Sequence, residues 1–124
     1  AISRDGTTIV YTSDDGGDYE IMLLEFYDGA WQKPIRLTNN DTPDTMPAIS
    51  ADGKVIAYIG GPADDRKIFF TERVFSNWLP PVQLTFGTDD HYLESETSGL
   101  WSEKLVYGRN PASCQRKPTI ICFR

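Results

Sequence analysis

The chain is poor in the residues that most often carry chemistry. It has one histidine, His91, and two cysteines, Cys114 and Cys122, in 124 residues. That set does not furnish a zinc centre, which takes about four such ligands. No Gly-x-Ser-x-Gly is present, so there is no nucleophile elbow for a Ser-His-Asp site. No Gly-x-x-x-x-Gly-Lys-Ser/Thr is present, so there is no phosphate loop of that kind. Positive charge is also scarce: 12 Lys and Arg stand against 18 Asp and Glu, a net charge of −6. Nucleic acid and anionic lipid are poor partners for such a surface, because both are bound by basic faces. No apolar run approaches the ~20 residues of a membrane span, so no membrane insertion is expected. Ala1-Ile2-Ser3 has neither the basic region nor the apolar core of a secretory signal. An exported protein would have lost that signal or would carry it outside these residues.

What the chain does have is a repeat. Shifted by 47 residues, Ser3-Arg4-Asp5-Gly6 falls on Ser50-Ala51-Asp52-Gly53, and Ile9 and Tyr11 fall on Ile56 and Tyr58. Ile21 falls on Ile68. Trp31, Pro34, Leu37 and Thr38 fall on Trp78, Pro81, Leu84 and Thr85. A period of this size with strand-like segments points to propeller blades or a similar array.

The segments inside each repeat are strands. Residues 7–12 (Thr-Thr-Ile-Val-Tyr-Thr) are β-branched and aromatic, and 19–27 form a second strand. Asp14-Asp15-Gly16-Gly17-Asp18 and Asp28-Gly29 are turns. Residues 31–38 contain an outer strand, whose Pro34 marks an edge. Residues 39–47 read as a polar loop. The second copy repeats the series: strands at 48–50, 54–59, 66–74 and 78–85, then a loop at 86–91. A third, degenerate copy starts near Tyr92. Leu105-Val106-Tyr107-Gly108 matches Ile56-Ala57-Tyr58-Ile59 after a two-residue insertion, and 118–123 forms its next strand. No sustained helical period occurs.

The run Leu37-Thr38-Asn39 through Pro47-Ala48-Ile49-Ser50-Ala51-Asp52-Gly53-Lys54 resembles the TolB-like β-propeller repeat, with its Pro-Asp-Gly turn. Ala51, and Arg4 in the first copy, stand where that family usually has proline. The Trp-x-x-Pro-x-x-Leu of Trp31/Pro34/Leu37 and Trp78/Pro81/Leu84 is similar to the same repeat. The resemblance covers residues 2 to about 94 well and the remainder loosely. It implies an all-β fold of four-stranded antiparallel blades, with blades at 1–46, 47–92 and, in part, 93–124. About 2.6 repeats do not close a ring, since closed propellers have four to eight blades. The expectation is therefore either a piece of a longer propeller or a homodimer of about six blades.

Candidate sites are few. Loops carry function on rigid scaffolds. Asn40, Asp41 and Asp44 in the first long loop, and Asp89, Asp90, His91 and Tyr92 in its equivalent, are the candidate protein-binding residues. Asp14, Asp15 and Asp18 lack the twelve-residue frame of an EF-hand calcium loop and read as a turn. Ser13-x-Asp15-x-Gly17 echoes a sialidase Asp-box, but its aromatic is displaced to Tyr19. Glu94, Glu96 and Glu103 have no spacing that fixes an acid–base pair. Cys114 and Cys122 either face each other across a hairpin as a disulfide or are separate thiols. No catalytic residue, metal or cofactor is expected. The resemblance implies a non-catalytic module that binds another protein in the bacterial cell envelope, periplasmic or extracellular. A self-assembling subunit and the propeller part of a peptidase or glycosidase-type enzyme are the alternatives.

Overall fold

A computed structural model describes residues 1–14 and 16–86, together with the strands 91–95, 104–109 and 119–122. Among these residues the fold is all-β, with antiparallel sheets and no helix. The first sheet holds β1 (Thr8–Ser13), β2 (Glu20–Tyr27), β3 (Ala30–Trp31) and β4 (Ile35–Arg36). The second holds β5 (Thr45–Ile49), β6 (Val55–Gly60), β7 (Lys67–Val74), β8 (Asn77–Trp78) and β9 (Val82–Gln83). The third holds β10 (His91–Ser95), β11 (Lys104–Arg109) and β12 (Thr119–Cys122). Neighbouring strands in each sheet follow one another along the chain, as in propeller blades.

The outer strand of each blade comes in two pieces. β3 and β4 both pair with β2, and β8 and β9 both pair with β7. The break falls on Pro34 in one blade and on Pro80-Pro81 in the other. Proline has no N–H to give the ladder, so pairing lapses there and resumes beyond it.

The repeated Ser-x-Asp-Gly sequence builds the same turn twice. Ser3 Oγ donates to Asp5 Oδ1 (2.7 Å), and Ser50 Oγ donates to Asp52 Oδ1 (2.6 Å). The same Oδ1 atoms accept the N–H of Thr7 and of Lys54, each at 3.0 Å. The serine hydroxyls then accept the N–H of Thr8 and of Val55, also at 3.0 Å. Gly6 (φ +73°) and Gly53 (φ +70°) take the left-handed backbone that closes the turn. The two turns touch: Arg4 N–H donates to the Ala51 carbonyl at 3.1 Å.

The core is a seam between blades. Val10, Ile21 and Leu23 of the first blade pack against Ile56 and Tyr58 of the second, flanked by Ile49, Phe69 and Trp78. Tyr58 stacks on Phe69 with ring centroids 5.6 Å apart. Alternate residues of β6 point the other way, so Ala57 and Ile59 join Ala48 and Ile68 in a second cluster. β10 lies beside β5, β6 and β7. Covered on both faces, β6 is buried along its whole length. Arg73 crosses the seam to Glu25 at 2.6 Å.

Two segments differ from the sequence reading. The loop expected through Pro47 ends sooner, because β5 starts at Thr45. Met46 takes φ +53° and the pairing register shifts between Thr45 and Ala48. This bulge lets the strand accommodate Pro47. His91, read as a loop residue, opens β10 opposite Arg109.

Candidate functional site

The first long loop is fastened at both ends by buried groups. Glu20 begins β2 and is 2% exposed. Thr38 Oγ1 donates to its Oε2 (2.5 Å), and Asn40 N–H donates to its Oε1 (2.9 Å). The Thr38 oxygen also accepts the Ile21 N–H at 2.9 Å. Asp44, also 2% exposed, accepts a hydrogen bond from Asn40 Nδ2 at 2.6 Å. Its own N–H donates to the Tyr19 carbonyl at 2.7 Å. Asn40 therefore bridges two buried carboxylates, one through its backbone and one through its side chain.

Burial sets the electrostatics of this cluster. It pushes the Asp44 carboxyl up to about 6. The hydrogen bonds from Asn40 and Thr38 pull it back, and the negative charges of Glu20 and Asp18 push it further up. Burial likewise raises the Tyr58 phenol, with Asp44 and Glu20 adding to the effect.

The candidate residues thus separate. Asn40 and Asp44 come together, but Asp44 faces inward and serves the fold. Asp41 is exposed on the loop, beside Asn40. Asp89 and Asp90 lie outside the described residues. His91 and Tyr92 lie on β10, opposite Arg109 and Gly108. Cys122 ends β12, and Cys114 lies outside the described residues, as does Asp15. Among the described residues no group of three or more His, Cys, Asp and Glu side chains is placed to hold a metal ion. No helix there is long and apolar enough to cross a membrane.

Sequence reasoning passed over an apolar face of the first sheet. On the first blade, Ile9 stands opposite Leu24 and Tyr11 opposite Met22, so the four share one face. Phe26 (40% exposed) and Trp31 (46% exposed) extend it, in an edge-to-face pair with centroids 5.4 Å apart. In the 47-residue register, Ile9, Tyr11, Met22 and Trp31 correspond to Ile56, Tyr58, Phe69 and Trp78. Those four counterparts line the sealed seam. On the first blade this face is half-buried at Ile9, Tyr11, Met22 and Leu24 and exposed at Phe26 and Trp31.

These sheets define a blade-built all-β protein. No family model matches the sequence, and no curated protein matches it. Among solved structures, the chain is similar to the crystal structure of TolB from Acinetobacter baumannii, at 21% identity and a TM-score of 0.49. The match covers 87% of this chain and 28% of that one, so the chain spans little more than a quarter of that structure.

Proposed function

We propose that the chain is a non-catalytic propeller module that binds another protein in the bacterial cell envelope, in the periplasm or outside the cell. The observation behind this reading is the apolar face of the first blade, half-buried at Ile9, Tyr11, Met22 and Leu24 and exposed at Phe26 and Trp31. An apolar sheet face of this kind is the usual mark of a protein contact. Asp44 of the first loop is buried and bonded within the fold. The envelope setting is supported by the likeness of Leu37–Lys54 to the TolB-like repeat.

The same face favours a second reading, in which the cover comes from another copy of the chain and two copies give about six blades. Here Val106 and Ile120 are relevant, since they stand opposite each other on the third sheet as Val10 and Leu23 do on the first.

Site-specific photo-crosslinking tests both readings. A benzophenone amino acid replaces Phe26 or Trp31, and bacterial cells expressing the chain are irradiated. A crosslink to a different protein supports the first reading. A crosslink to the chain itself supports the second. Absence of any crosslink, with the chain folded, overturns both.

A further inference from the structure

Phe75 occupies a position that its own chain fills differently one repeat earlier. It sits in the two-residue turn between β7 and β8, 95% exposed, with φ +55°. The corresponding turn on the first blade is Asp28 (φ +54°) and Gly29 (φ +77°). Asp and Gly suit left-handed backbone. A phenylalanine there costs roughly 1–2 kcal/mol. Its ring gains little burial in return, and Val74 beside it is 43% exposed. Strain combined with exposure at one residue points to use rather than packing.

The turn borders a groove of about 600 Å³. Asp5, Thr8, Asp52, Lys54, Arg73 and Val74 are among the residues that line it. Arg73 is already answered by Glu25. The other charged groups lining the groove are two carboxylates, Asp5 and Asp52, and one ammonium, Lys54. Each carboxylate commits Oδ1 to its own turn, and Oδ2 takes no part in those bonds. Hydrogen bonds from Ser3 and Thr7 hold the Asp5 carboxyl below its usual range, so it stays charged in mild acid. The chain as a whole carries −6, which draws cations toward it.

We propose that this groove and the Phe75 ring receive an extended basic segment of a partner protein. A guanidinium or ammonium lies over the ring as a cation–π contact, and its carbon stem runs along Val74. The Asp5 and Asp52 carboxylates take the remaining positive charge. An acidic segment would meet those same carboxylates and be repelled. The proposal rests on the reading of the chain as a protein-binding module, but it uses a surface separate from the apolar sheet face.

The test uses the full chain and two fluorescein-labelled peptides, Gly-Arg-Leu-Arg-Leu-Arg-Gly and Gly-Glu-Leu-Glu-Leu-Glu-Gly, followed by fluorescence polarisation. The basic peptide is expected to bind, and to bind less tightly as NaCl rises from about 50 to about 300 mM. Phe75→Asn keeps the net charge and suits the turn. It is expected to weaken binding about tenfold or more while melting no lower than the parent chain. Asp64→Asn, an exposed acid outside the groove, is expected to stay within about twofold. Equal binding by Phe75→Asn overturns the proposal, because attraction to the net charge alone then explains the signal. Equal binding of the acidic peptide, or binding of neither, also overturns it. Crosslinks from positions 26 and 31 together with a negative peptide result would sink this inference alone.

Discussion

Gly60 lies against the carboxylate of Asp44 with no room for a side chain between them. A Cβ at Gly60 would run into Asp44 Oδ1 and approach the Phe69 ring to 3.1 Å. Gly60→Ala is therefore expected to destabilise the chain by about 1–3 kcal/mol, as overpacking does. Removing the obstruction should soften the effect. In an Asp44→Ala background the same change is expected to cost less, which a double-mutant cycle of urea unfolding would show. Equal losses in the two backgrounds would contradict the contact.

Asp44 also gives the fold a pH dependence of defined sign. Its carboxyl rises from 3.8 to about 6 in the folded chain, so folding favours the protonated form. The stabilisation is complete below about pH 4 and is lost as pH rises through 6, a change of up to about 3 kcal/mol. Asp5 moves the opposite way, but it titrates below that window. Urea midpoints at pH 5 and pH 7.5 are expected to differ more for the parent chain than for Asp44→Asn. A slope unchanged by the substitution would show that Asp44 does not carry it.

Thr38 and Thr85 are equivalent residues with unequal duties. Each hydroxyl accepts a buried strand N–H, from Ile21 and from Ile68, both at 2.9 Å. Among the described residues, Thr38 alone of the two also donates to a buried carboxylate, Glu20. Thr85→Val is expected to cost about 1 kcal/mol, and Thr38→Val about 2–3 kcal/mol, because the latter also strips a hydrogen bond from a charged group. Thermal melts of the two variants side by side check the order.

The Ser-x-Asp-Gly turn makes a paired prediction. Ser50→Ala removes both the donor to Asp52 and the acceptor for Val55 N–H. A loss of about 1–2 kcal/mol is expected. Ser3→Ala breaks the matching bonds and should cost a similar amount, measured by the same unfolding curves.

Much of this architecture is legible in the sequence. The strand read at 7–12 appears at Thr8–Ser13, and those read at 54–59 and 66–74 appear at Val55–Gly60 and Lys67–Val74. The repeat makes this possible, since two copies of a pattern constrain each other. The Gly of Ser-x-Asp-Gly was readable for the same reason. Other features were hidden. A glutamate in a strand reads as solvent-facing, and nothing near Glu20 announces that Thr38 and Asn40 will satisfy it. Pro47 was read into a polar loop, whereas a strand forms there with Met46 in left-handed backbone and a register shift beside it. Of the seam residues, Ile56 and Tyr58 were visible as repeated positions, matched by Ile9 and Tyr11. Which blade's copy would be covered depends on neighbours rather than on local pattern.

The buried starts of β2 and β7 bear on how far the two repeats are interchangeable. On the first blade the position is Glu20, held by Thr38 and Asn40. On the second it is Lys67, 7% exposed and paired with Asp65. The turns are interchangeable copies, but these buried charges have opposite sign. Exchanging those two residues alone, Glu20→Lys with Lys67→Glu, would set a lysine before Asn40 and a glutamate before Asp65, leaving two interior charges mismatched. The blades share their turns, but each carries inside itself the partners that its own buried charge requires.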